Sequence, residues 1–136
     1  MPMLRFDHLP SDFNPLFLFL GERQDLTALA NLLRSFASSP RSIDLREQLS
    51  GSRSRTTLRL VPVEGEAGDF GMRPDGDGFR WGLNSWQAEK IAERIEQLTP
   101  AHQKSGSDII ELGVEGEIPV KVSLGEFTDD FLVQRF

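Results

Sequence analysis

The sequence predicts an α+β fold, a mainly antiparallel sheet with two helices packed on one face. Three observations carry that prediction. Two segments, Leu26 to Ala37 and Ala88 to Leu98, repeat apolar residues at three- and four-residue steps. Short apolar or alternating runs stand before and after each of them. Turn-forming stretches, Pro74 to Gly78 and Glu115 to Glu117, separate those runs. A length of 136 residues is room for one domain, residues 1–136, and ten Phe with two Trp supply bulk for its core.

Leu16-Phe17-Leu18-Phe19-Leu20, closed by Gly21, reads as a buried strand. A helix follows from Arg23 to Ser38, with Leu26, Leu29, Ala30, Leu33, Phe36 and Ala37 on one face. Glu22 and Asp25 oppose the positive end of its dipole, and Pro40 stops it. A short strand is expected over Ile43–Leu45, a mobile loop over Gln48–Arg55, and a strand over Thr56–Val63. Phe70–Arg73 and Phe79–Leu83 flank Pro-Asp-Gly-Asp-Gly as a hairpin. The second helix starts at Ser85 or Trp86 and runs to Leu98. Asn84 and Gln87 have the spacing of a capping box, and Thr99-Pro100 ends the helix. Asp108–Val114 and Pro119–Leu124 form a second hairpin, and Phe131–Phe136 a last strand.

A shift of 62 positions lays Phe17 and Phe19 over Phe79 and Trp81. It also lays Leu26, Leu29, Ala30, Leu33 and Phe36 over Ala88, Ile91, Ala92, Ile95 and Leu98. An internal duplication of a β-α-β-β unit would produce that pattern.

Composition removes several kinds of chemistry. Without Cys there is no disulfide, thiol nucleophile, iron–sulfur site or cysteine-bound zinc. With only His8 and His102, metal sites built from two or three imidazoles on adjacent turns are excluded, and neither a metal nor a cofactor is expected. Asp75-Gly76-Asp77-Gly78 reads as a turn rather than a calcium loop, because Phe79-Arg80-Trp81 follows at once. No phosphate-cradling glycine loop or serine-hydrolase elbow is present. The longest apolar run, Pro15–Leu20, is far short of a membrane span, and the first residues lack a signal-peptide layout, so a cytoplasmic protein is expected.

Charge is unevenly distributed. Residues 1–61 hold eight Arg against six acids, whereas residues 62–136 hold seven basic groups against fifteen acids. A net charge of −6 argues against nucleic acid as partner. An acidic surface meeting a basic protein is the leading expectation. The most acidic, turn-rich stretch supplies Glu115, Glu117, Glu126, Asp129 and Asp130, with Phe127 and Phe131 as apolar anchors. Trp86 and Phe136 are further aromatic candidates. The alternative is a small-ligand or enzymatic domain taking an anionic ligand through His102, Arg53 and Arg55 within the Arg41–Arg59 stretch. A homo-oligomer paired through edge strands is a third reading.

Two stretches, Leu18-Phe19-Leu20-Gly21-Glu22-Arg23-Gln24-Asp25-Leu26 with Leu29–Leu33, and Val120-Lys121-Val122-Ser123-Leu124-Gly125-Glu126-Phe127, resemble small bacterial immunity-type proteins of contact-dependent and polymorphic toxin systems. The resemblance implies a protein binder that neutralises its partner by occlusion, with no catalytic residue.

Overall fold

The computed structural model describes residues 4–9, 15–49, 56–64, 69–100 and 105–125. Among them run β1 (Arg5–Leu9), β2 (Leu16–Gly21), α1 (Arg23–Ser38), β3 (Ile43–Asp44), α2 (Leu45–Gln48) and β4 (Leu58–Pro62). They continue with β5 (Gly71–Asp75), β6 (Gly78–Leu83), α3 (Ser85–Glu96), β7 (Gly106–Ile110) and β8 (Val120–Leu124). The class is α+β, as the periodicities require.

The strands form two sheets, ordered β1-β2-β8-β7 and β3-β4-β6-β5, where the patterning predicts a single one. In each, two antiparallel hairpins are joined at the middle by a parallel pair, β2 with β8 and β4 with β6. Parallel neighbours need a long crossover, and the helices lie in those connections. Phe17 faces Val120 and Leu58 faces Phe79 in the central pairs. Local patterning cannot announce such distant partners.

The inner faces of both sheets and the two long helices share one core. Phe19 stacks on Trp81 at 5.5 Å and Phe17 meets Phe79 edge-on at 5.3 Å, joining β2 of one sheet to β6 of the other. Helices α1 and α3 pack together. Leu26, Leu29, Leu33 and Phe36 of α1 are buried, as are Ala88, Ile91, Ala92 and Ile95 of α3. Both helices start as their caps dictate. Asn84 and Gln87 exchange two hydrogen bonds, of 2.8 and 2.9 Å, and the Glu22 N–H donates to Asp25 Oδ2 at 2.8 Å. Asp25 is itself buried, and Gly21 makes room for it, since a Cβ there would stand 2.6 Å from the Cβ of Asp25.

Several expectations need correction. Strand β3 stops at Asp44, whose Oδ1 accepts from the Arg46 N–H at 2.9 Å and caps the one-turn α2. Gln48 therefore ends a helix, and the buried Leu49 anchors the chain at the start of the expected loop. Strand β1 is an addition to the expected elements. The second hairpin uses Gly106–Ile110 rather than Asp108–Val114, with the turn at Glu115-Gly116 inside a longer connection. The helix-bearing unit reads ββαββ, one strand more than expected. Residues 50–55 and 131–136, the remaining loop and the last strand, lie outside the described residues.

Candidate functional site

Alternation on three adjacent strands of the second sheet sends one residue type outward. On β4, Leu58 and Leu60 are buried and Arg59 is exposed; on β6, Trp81 and Leu83 are buried and Arg80 is partly exposed; on β5, Met72 is buried and Arg73 partly exposed. The register then aligns them, with Arg59 opposite Arg80 and Arg80 opposite Arg73. With strands spaced at about 4.8 Å, three guanidinium-bearing residues form a row roughly 10 Å wide. Like charges directly opposite one another destabilise a sheet, so the row calls for counter-charges.

The described residues supply them in part. Arg59 Nη2 pairs with Asp75 Oδ2 at 2.6 Å, and Asp44 stands opposite Arg59 at the edge of the sheet. Arg73 uses its donors on main-chain carbonyls, Nε to Phe70 and Nη2 to Glu115, both at 2.9 Å. Among the described residues, Arg80 in the middle has a loose ion pair, 3.9 Å from Asp69 Oδ1, and its buried Nε has no hydrogen-bond partner. A donor left so is costly and fits an acceptor.

Beside Arg80 lies an open groove of about 330 Å³, lined by Val61, Pro62, Val63, Glu64, Asp69 and Arg80. At Gly82 a Cβ would collide with the Asp69 carbonyl and the Val63 side chain, both of residues that line the groove. The groove sets one guanidinium and two carboxylates, those of Glu64 and Asp69, among aliphatic carbons, with no imidazole or hydroxyl among its described lining residues. The arginine row beside the groove presents planar guanidinium groups, a geometry that suits hydrogen bonding to a carboxylate.

The other sheet has no such row. The positions related to Arg73, Arg80 and Arg59 by strand register are Asp7, Leu18 and Lys121. Its one imidazole, His8, lies on the inner face 4.9 Å from the Phe79 ring, where burial pushes its pKa down against the opposing pull of Asp7. Among the described residues no group of three or more His, Asp or Glu could hold a metal ion.

Of the residues singled out from sequence, Glu115 is exposed and contributes a backbone carbonyl to Arg73. Glu117 is turned inward to its own loop: its Oε1 accepts from Gly113 N–H at 2.6 Å and Val114 N–H at 3.1 Å. Its carboxylate, partly exposed, holds a turn through Oε1. Glu126, Phe127, Asp129, Asp130, Phe131 and Phe136 lie outside the described residues, as do His102, Arg53 and Arg55. Trp86 is 68% exposed at the start of α3, with Lys90 Nζ 5.7 Å from its ring centre. Sequence reasoning missed the arginine row, although Arg59 and Arg80 each stand on the polar side of an alternating run. Comparison with known proteins finds no family model, curated relative or solved structure that matches this chain.

Proposed function

We propose that the protein is a binding module that docks an acidic segment of a partner protein across the Arg59–Arg80–Arg73 row. The observation that carries this reading is the in-register placement of three arginines on one outer face, with the Arg80 Nε unpartnered among the described residues. Arginine suits the task because its planar fork can meet a carboxylate with two parallel hydrogen bonds. The sign of the docking face sets the partner's sign, even though the whole chain carries −6. Occlusion of a partner, as in the immunity-type proteins that the sequence resembles, needs no catalytic group and fits the same mode.

The test is fluorescence anisotropy with a labelled Glu-rich peptide, a Lys-rich peptide and a single-stranded oligonucleotide, each titrated at several salt concentrations. The expected result is preference for the Glu-rich peptide, weakening with salt, and a loss of at least about tenfold in affinity for Arg80→Glu. Preference for the Lys-rich peptide would return the reading to the acidic end of the chain. Preference for the oligonucleotide, or indifference to Arg80→Glu, would overturn it.

A further inference from the structure

Independently of that reading, we infer that the chain is a fused dimer: one ββαββ unit used twice, each half lending its second hairpin to the other's sheet across an approximate two-fold axis. The sheet orders support it. Hairpin β1-β2 of the first half pairs with β7-β8 of the second, and hairpin β3-β4 of the first pairs with β5-β6 of the second.

Strands β2 and β4 and helix α1 begin at Leu16, Leu58 and Arg23; β6, β8 and α3 begin at Gly78, Val120 and Ser85, each 62 positions later. The two parallel pairs have the same register under that shift, Phe17 with Val120 and Leu58 with Phe79. Isolated backbone bonds repeat as well. Phe17 N–H donates to the Pro119 carbonyl as Phe79 N–H does to that of Thr57, and Gly125 donates to Gly21 as Val63 does to Leu83.

The strongest sign is what meets at the axis. A two-fold axis brings some residues against their own equivalents, and three such pairs touch here: Phe17 with Phe79, Phe19 with Trp81, and Arg34 with Glu96. Any two helices can be slid into phase, but chance phasing does not make equivalent residues touch. The charged pair has a consequence of its own. Two identical halves would set guanidinium against guanidinium, or carboxylate against carboxylate, at that point. Here Arg34 Nε and Nη2 bind Glu96 Oε2 and Oε1 at 2.9 and 2.6 Å, and Nη1 reaches Glu89. The pair therefore favours unlike halves over like ones.

Two measurements on the full chain test this. Glu96→Arg should lower the melting midpoint. Adding Arg34→Glu should restore it only in part, because the carboxylate placed at position 34 then faces Glu89. Position 27 is the equivalent of position 89, so Thr27→Glu with Glu89→Thr should complete the recovery. If the fourfold exchange is no more stable than the triple variant that lacks Thr27→Glu, the symmetry is absent. Second, a protease site introduced between Glu64 and Asp69 allows the folded protein to be cut in two. The halves should remain together, with a midpoint that falls on dilution. Separation of the halves, or a midpoint independent of concentration, would overturn the interlocked arrangement.

Discussion

Phe19 stacks on Trp81 with ring centres 5.5 Å apart and planes inclined by 27°, a contact that joins one sheet to the other. Phe19 also meets Phe6 and Phe17, at 5.8 and 5.4 Å, so a band of aromatic rings runs from β1 to β6. Trp81→Ala should cost about 3–5 kcal/mol, since a fully buried indole leaves a cavity that rigid strands cannot close. A urea midpoint unchanged by this substitution would show that the sheets do not meet there.

The two tryptophans should be optically distinct. Trp81 is 1% exposed and Trp86 is 68% exposed. Iodide should quench Trp86 and spare Trp81, so a Trp86→Phe variant should show blue-shifted emission with little quenching. Strong quenching in that variant would contradict the burial of Trp81.

Arg80→Ala should leave stability unchanged or raise it by up to about 1 kcal/mol. The substitution removes a like-charge neighbour from both sides and a buried donor that has no partner among the described residues. Arg73→Ala should destabilise, because it cuts two hydrogen bonds that tie β5 to the 113–117 loop and to Phe70. Chemical denaturation of the two variants side by side checks both signs.

Acid should lower the stability of the protein in two stages. Burial lowers the pKa of His8 below its ordinary 6.5, so the unfolded chain takes up that proton first. The contribution is complete above about pH 6.5 and is lost as the pH falls from there through the lower folded value. Glu96 is also lowered, by its hydrogen bonds to Arg34, and its contribution is lost below its ordinary 4.5. His8→Phe should reduce the loss that begins near pH 6.5 and Glu96→Gln the loss below 4.5, followed by melting midpoints against pH. A His8→Phe profile that keeps the upper stage would assign it elsewhere.

Substituting the cap tests local structure. Asn84→Ala should cost about 1 kcal/mol, since the Gln87 N–H loses its acceptor at the start of α3. An unchanged midpoint would mean that water replaces the cap at no cost.

Local chemistry made much of this molecule legible. Leu33 and Ile95 follow from a 3.6-residue period, Asn84 and Gln87 from cap spacing, and β2 from five apolar residues in a row. These signals arise within one or two turns, where neighbours in sequence are neighbours in space. Strand β1 escaped because five residues alternating Arg, Phe, Asp, His and Leu are too few and too mixed to stand out. Helix α2 escaped because a single turn has no period, and only Asp44 marks it.

By itself, then, the sequence determined the class, the two long helices and their buried faces, and the absence of cysteine chemistry. The division into two sheets was decided in tertiary structure, because the parallel pairs β2-β8 and β4-β6 join segments far apart in the chain. The arginine row was decided there too. Arg59, Arg73 and Arg80 are each an ordinary outward residue on an alternating strand, and only the register of three strands sets them side by side. Side-chain alternation is a local property of the backbone. Register is a property of the partner, and a chain acquires it only when its core closes.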